Sequence, residues 1–164
     1  MAILKEHYTI SHDWRGSRYL GMDIDWHYER REVHLSMLLY VQDALTCFHH
    51  IRPHQPQDQP HPHARPTYGA KVQYTAGEDK SPAVSPKEKK IIQEVTGTFL
   101  YYARAVNATM LPALGYTATQ QASPTENTMK KVKHFLEYAA SHTDAIITYR
   151  ASDMVLAAHS NASY

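Results

Sequence analysis

The stretch Ser85-Pro86-Lys87-Glu88-Lys89-Lys90-Ile91-Ile92-Gln93-Glu94-Val95-Thr96-Gly97-Thr98-Phe99-Leu100-Tyr101-Tyr102-Ala103 decides the fold. Serine at the N-cap, proline in the first helical position and glutamate in the third form a capping box on a backbone already set near helical φ. Behind it Ile91, Ile92, Val95, Phe99, Tyr102, Ala103 and Val106 recur at three- and four-residue spacing, which makes one broad apolar face. Such a helix needs partners, and two follow. Ser123-Pro124-Thr125-Glu126 repeats the capping signature, and its helix buries Met129, Val132, Leu136 and Ala139 while exposing Lys130, Lys131 and Lys133. Between them Thr109 to Gln121 predicts a third helix, starting near Pro112, with Leu111 and Leu114 inward.

Upstream the periodicity changes. Ile3 to Tyr8 reads as the last turns of a helix. In Tyr19-Leu20-Gly21-Met22-Asp23-Ile24-Asp25-Trp26, the residues Leu20, Met22, Ile24 and Trp26 face one way, and Asp23 and Asp25 the other. Val33, Leu35 and Met37 continue the period of two beyond a charged turn at Glu29-Arg30-Arg31, so a β-hairpin is expected, without the usual Asn-Gly turn. Leu38 to Phe48 follows as a helix with Leu38, Val41, Leu45 and Phe48 on one face. His49 to Pro66 then holds five prolines and five histidines and little that can form a core. Proline continues neither helix nor strand here, so this is an extended linker or surface loop. At the far end Ile146-Ile147-Thr148-Tyr149, a turn at Ala151-Ser152-Asp153, and Met154 to Ala158 predict a second hairpin. The class is α+β, in four segments: hairpin and helix over 1–48, Pro/His-rich loop over 49–84, three helices over 85–142, and a hairpin over 143–164.

Composition limits the function classes. With 164 residues, 43% hydrophobic, the chain suits one ordinary domain or two small pieces. A net charge of +1, from 17 basic and 16 acidic residues, sets up no bulk field for nucleic acid or membrane, so binding must come from local patches. Cys47 is the single cysteine and has no partner for an internal disulfide, which points to an intracellular compartment, cytoplasm or nucleus. No apolar run has the length of a membrane span, and no signal peptide is expected.

Few constellations carry chemistry. Asp23 and Asp25 share a strand face and can bind a divalent cation, although the solvent side of a hairpin explains them more simply. His61-Pro62-His63 can offer two ligands to Zn²⁺ or Cu²⁺, but a mobile loop gives no preorganised set, so no metal site is assigned. Lys87, Lys89 and Lys90, with Lys130, Lys131 and Lys133, put basic charge on two helices, which suits solvation or a phosphate backbone. Tyr101, Tyr102 and Tyr138 can stack on bases, but their helical spacing favours core packing. Cys47, beside Phe48 in a helical pattern, reads as a buried or half-buried structural thiol. No Gly-x-Ser-x-Gly, phosphate-cradling glycine loop or His-Glu-x-x-His is present.

Taken in order, the motifs resemble a stretch of the Pol polyprotein of Ty1/copia-type LTR retrotransposons, especially fungal ones. Tyr19-Leu20-Gly21-Met22-Asp23-Ile24 is similar to the "FLG" hairpin that follows the polymerase active site and forms the primer grip. Tyr40 to Phe48 resembles the first thumb helix. Val95 to Ala103 resembles the "GxLxYL" helix, and Ala122 through Tyr138 the helix ending in "RxLRYL". Ala158-His159-Ser160-Asn161-Ala162-Ser163-Tyr164 is similar to the "GYSDADWAG" start of RNase H.

The resemblance implies a region from primer grip and thumb to the first hairpin of a truncated RNase H-like sheet. In the intact enzyme it would grip the template–primer duplex, with Leu20, Gly21 and Met22 at the grip and Lys130, Lys131 and Lys133 on the late helix. The implied partners are an RNA–DNA hybrid or duplex and the rest of the Pol polyprotein, with no membrane. The departures imply no catalysis by this chain alone. Polymerisation in the family needs a Tyr-x-Asp-Asp hairpin holding Mg²⁺, and the sequence has none. The first RNase H carboxylate falls on Asn161, and an amide is a poorer Mg²⁺ ligand than a carboxylate. The "TRPD" segment is degenerate at Ala105-Val106-Asn107-Ala108-Thr109. Mg²⁺ is therefore expected only for the intact family enzyme. The alternative is a small helical interaction or metal-binding module that uses the His-rich loop.

Overall fold

The computed structural model describes residues 7–9, 13–62 and 79–153. Strands β1 (Arg18–Tyr19), β2 (Met22–His27) and β3 (Glu32–Ser36) lead into helix α1 (Leu38–Cys47). After the loop come α2 (Pro86–Ala105), α3 (Leu111–Gln120) and α4 (Glu126–Ser141), then strand β4 (Ile146–Arg150). The α+β class is the observed one.

The four strands form one antiparallel sheet in the order β1-β2-β3-β4. The expected hairpin is β2–β3, with Ile24 opposite Leu35 and Trp26 opposite Val33. Its turn is a single 3₁₀ turn, Tyr28–Arg30, closed by Arg31 in the left-handed region at φ 53°. Strand β4 pairs with β3, Glu32 opposite Arg150 and Ser36 opposite Ile146, so the two ends of the described chain meet in one sheet. The expected partner of β4 in a second hairpin, Met154 to Ala158, lies outside the described residues, as do Asn161 and most of Ile3 to Tyr8.

Leu20 does not belong to the inward face of β2. Leu20 and Gly21 have φ of 49° and 82°, and they are the two central residues of a tight turn that pairs Tyr19 with Met22. Such two-residue hairpins need positive φ at both positions because that twist matches the strands. Glycine adopts it freely, whereas a leucine there costs roughly 1–2 kcal/mol. The alternation of apolar residues conceals this turn because nothing in a leucine announces it.

The helices form the core. Val41 and Leu45 of α1, Ile92, Val95, Phe99 and Tyr102 of α2, Leu114 of α3, and Val132, Phe135 and Leu136 of α4 are all buried. Phe99 meets Phe135 edge-to-face, with centroids 5.3 Å apart. Ile91 falls off the stripe and is exposed. The capping box at Ser85 is as read: its hydroxyl accepts from the Glu88 amide, and Glu88 accepts from the Ser85 amide.

The second cap is not where the repeated signature put it. Thr125, not Ser123, caps α4, accepting from the Thr128 amide. A tertiary contact decides this. Val84 donates to the Pro124 carbonyl, Glu126 to the Pro82 carbonyl, and Ala83 bridges Thr125, which holds Pro124 and Thr125 extended. The starts of α2 and α4 therefore lie side by side. The sheet joins this bundle through buried Met37 and partly buried Met22.

Candidate nucleic-acid interface

Leu20 and Gly21, two residues that the resemblance would place at a primer grip, form the β1–β2 turn, and Met22 starts the strand behind it. Leu20 and Tyr19 stand 66% and 62% exposed. The turn is held from the bundle: the Tyr101 hydroxyl of α2 donates to the Leu20 carbonyl at 2.7 Å. Tyr101 in turn meets Tyr40 of α1 edge-on at 5.7 Å, and the Tyr40 hydroxyl donates to the Thr98 carbonyl. Burial, and then the neighbouring Tyr101, raise the Tyr40 pKa. At neutral pH Tyr40 therefore stays a donor. An apolar tip is thus presented on a rigid stem, with Met22 turned toward the bundle.

The lysines lie elsewhere. Lys130 and Lys133 are exposed near the start of α4, beside Glu88 and Glu126. Lys87 and Lys90 are exposed on the adjoining first turns of α2. Lys131 is a correction: it is half-buried, donating to the Tyr116 hydroxyl at 2.7 Å and lying 4.1 Å from the centre of that ring. One residue along a helix rotates the side chain by about 100°, enough to send it toward α3 instead of solvent. Glu88 sits among these cations. Hydrogen bonds from the Ser85 amide and hydroxyl lower its pKa first, and the Lys133 charge adds to that. From Tyr101 to Glu88 is 13 residues of helix, roughly 20 Å at 1.5 Å per residue. The turn and the basic end are thus two points well separated along the bundle, not one pocket.

Between α1, α2 and α4 opens a cleft of about 440 Å³, with Phe48, Ile91, Met129 and Val132 in its walls and His50 and Lys133 among its polar groups. The His50 Nε2 atom is buried without a hydrogen-bond partner, and burial lowers the pKa of the ring.

The other tyrosines follow the packing reading. Tyr102 and Tyr138 are buried, and only Tyr101 reaches the surface. Cys47 departs from its expectation: it is exposed, because the buried stripe of α1 runs through Val41, Ala44 and Leu45. The described part of the Pro/His loop is a docked strap. His134 meets the Gln59 carbonyl at 2.9 Å, the Gln57 amide donates to Ser141, and His61 packs edge-on against Tyr116. Among the described residues its histidines converge on no common point. His63 lies outside them.

A different set does converge. Asp25 and His27 of β2 and His34 of β3 bring one ligand atom each within 4.8 Å of one another. Composition and loop patterning did not signal this group. The period of two puts Asp25 and His27 on one face, but only the register that sets Asp25 opposite His34 completes it.

No protein-family model matches the chain, and no curated protein or solved structure is significantly similar to it. Among the described residues no helix is long and apolar enough to cross a membrane.

Proposed function

We propose that this chain is a non-catalytic part of a retrotransposon reverse transcriptase/RNase H of the Ty1/copia type, from a region that holds the template–primer duplex in the intact enzyme. The observation that carries the proposal is the Leu20-Gly21 turn, an exposed tip anchored to α2 by Tyr101. A duplex is held mainly through phosphates and shape, which calls for rigid, spaced contacts instead of a cavity. The turn and the basic end formed by Lys87, Lys90, Lys130 and Lys133 supply two such contacts. No residue here is proposed to polymerise or cleave. The sequence holds no Tyr-x-Asp-Asp, and Mg²⁺ belongs to the intact enzyme.

The test is fluorescence anisotropy of a labelled RNA–DNA hybrid titrated with the purified chain over a range of salt. Binding that weakens steeply with salt is expected. No binding at low salt defeats the proposal, and Mg²⁺-dependent primer extension or hybrid cleavage by the chain refutes its non-catalytic half.

A further inference from the structure

We propose that Asp25, His27 and His34 form a binding site for a divalent transition-metal ion, Zn²⁺ foremost, on the polar face of the sheet. The site is independent of the duplex reading. Alternation and register put Asp25 and His27 of β2, and Glu32 and His34 of β3, on that one face. Five paired positions fix the β2–β3 ladder, so the three ligand residues stand on a preformed frame.

Two imidazoles and one carboxylate are a donor set suited to Zn²⁺ and its neighbours, and three protein ligands leave a position for water. A tetrahedral ion with bonds near 2.0–2.1 Å needs its ligand atoms about 3.4 Å apart. The observed separations reach at most 4.8 Å, and His27 Nε2 to Asp25 Oδ2 is 2.8 Å. Small side-chain rotations therefore close the site. The His27 and His34 rings already lie 4.4 Å apart, tilted by 47°.

A second observation concerns His27 itself. Its Nε2 is shielded from solvent and has no hydrogen-bond partner, because the short approach to Asp25 lacks hydrogen-bond alignment. A polar atom in that position is under-satisfied, and a cation bonded to it and to Asp25 remedies both.

The surroundings set conditions. The Arg30 guanidinium lies 3.2 Å from His27 Nδ1 and can only donate, so without metal the ring proton sits on Nε2. A metal at Nε2 needs the proton on Nδ1, so Arg30 must release the ring. Its side chain is exposed and has a second partner in Glu32, 3.9 Å away. Glu32 is held at 2.8 Å by Arg150. Its other oxygen lies 3.5 Å from His34 Nε2, but with Arg150 on the carboxylate it is not counted as a ligand.

The experiment is calorimetric titration of Zn²⁺ into the full chain and into a His61→Ala, His63→Ala chain that lacks the loop pair. Saturable binding to both is expected, weakened at least about tenfold by His27→Ala or His34→Ala. Asp25→Asn, a near-isosteric change at an exposed position, is expected to weaken binding similarly and serves if a histidine variant fails to fold. Arg30→Gln is expected to tighten it. Binding that survives all three ligand changes but disappears with the loop pair overturns the proposal, as does a failure to saturate by about 100 μM Zn²⁺.

Discussion

The Tyr101 hydroxyl donates to the carbonyl of Leu20 at 2.7 Å across 81 residues of sequence, and so ties the tip of the first hairpin to the middle helix of the bundle. Leu20 is held there at φ 49°. Two substitutions separate the anchor from the tip. Tyr101→Phe removes the hydrogen bond and is expected to cost about 1 kcal/mol in urea denaturation. Leu20→Asn creates the Asn-Gly pair that this turn type prefers and relieves the leucine strain, so stability is expected to rise by about 1 kcal/mol. If Leu20 grips a duplex, the same variant binds the hybrid more weakly although it is more stable.

What the sequence made legible was local. Helix α2 could be read from Ser85, Pro86 and Glu88 and from one apolar stripe, because caps and periodicity act within a turn or two. The β2–β3 hairpin was legible for the same reason. The Leu20 turn is hidden because alternation records side chains, not φ. The α4 cap is not legible locally because a bridge from Ala83 chooses Thr125 over Ser123. The pairing of β4 with β3 and the meeting of His27 with His34 depend on register and long-range contact, which no single segment contains. Lys131 looked like a solvated lysine because its partner, Tyr116, lies on another helix.

The position of the α4 cap can be measured directly. Thr125 caps Thr128 and also donates to the Asp79 carboxylate at 2.6 Å. Thr125→Ala is therefore expected to destabilise by about 1–2 kcal/mol, whereas Ser123→Ala is expected to stay within about 0.5 kcal/mol of the native chain. Equal losses from the two changes, measured by chemical denaturation, contradict the observed cap.

Asp79 gives this junction a pH dependence. Its carboxylate accepts from the Ser81 hydroxyl and amide, the Thr125 hydroxyl and the Asn127 side chain, with Ser81 the largest contributor, and its pKa falls well below the ordinary 3.8. A carboxylate depressed in the folded state binds its proton more readily when unfolded. Its contribution is full above the ordinary pKa and is lost as pH falls from there toward the depressed value. Asp79→Asn should flatten that acid limb of a stability-versus-pH curve and leave the slope near neutrality unchanged. An identical acid limb in both chains rules this linkage out.

The lysines sort by surroundings, and binding should follow that sorting. Lys130→Ala with Lys133→Ala removes two exposed charges, so hybrid affinity should fall and the slope of log K against log salt should shrink by roughly 1.8, at about 0.9 per duplex phosphate contact. Lys131→Ala should leave that slope unchanged and instead lower stability, by up to about 1 kcal/mol, through the lost Tyr116 contact. Anisotropy over a salt series, paired with thermal melts, distinguishes the two effects. An unchanged slope in the double variant removes these lysines from the interface.

Tyr102 presents the opposite case, a polar atom that the core does not satisfy. The residue is fully buried in α2, and its hydroxyl has no hydrogen-bond partner. Asn107 lies beside it, but the Asn107 side-chain oxygen already accepts from Thr109, which also meets the Tyr138 hydroxyl at 3.0 Å. Burial raises the Tyr102 pKa, against a smaller lowering by the Asn107 side chain, so the hydroxyl stays protonated. Tyr102→Phe keeps the ring and removes only the unsatisfied group. Removing such a group avoids a desolvation cost of about 1–3 kcal/mol, set against the small void left by one oxygen. The variant is therefore expected to match or exceed the native chain in urea, by up to about 1 kcal/mol. A loss larger than about 1 kcal/mol means that the hydroxyl has a partner in solution, with Asn107 the group in position to provide it.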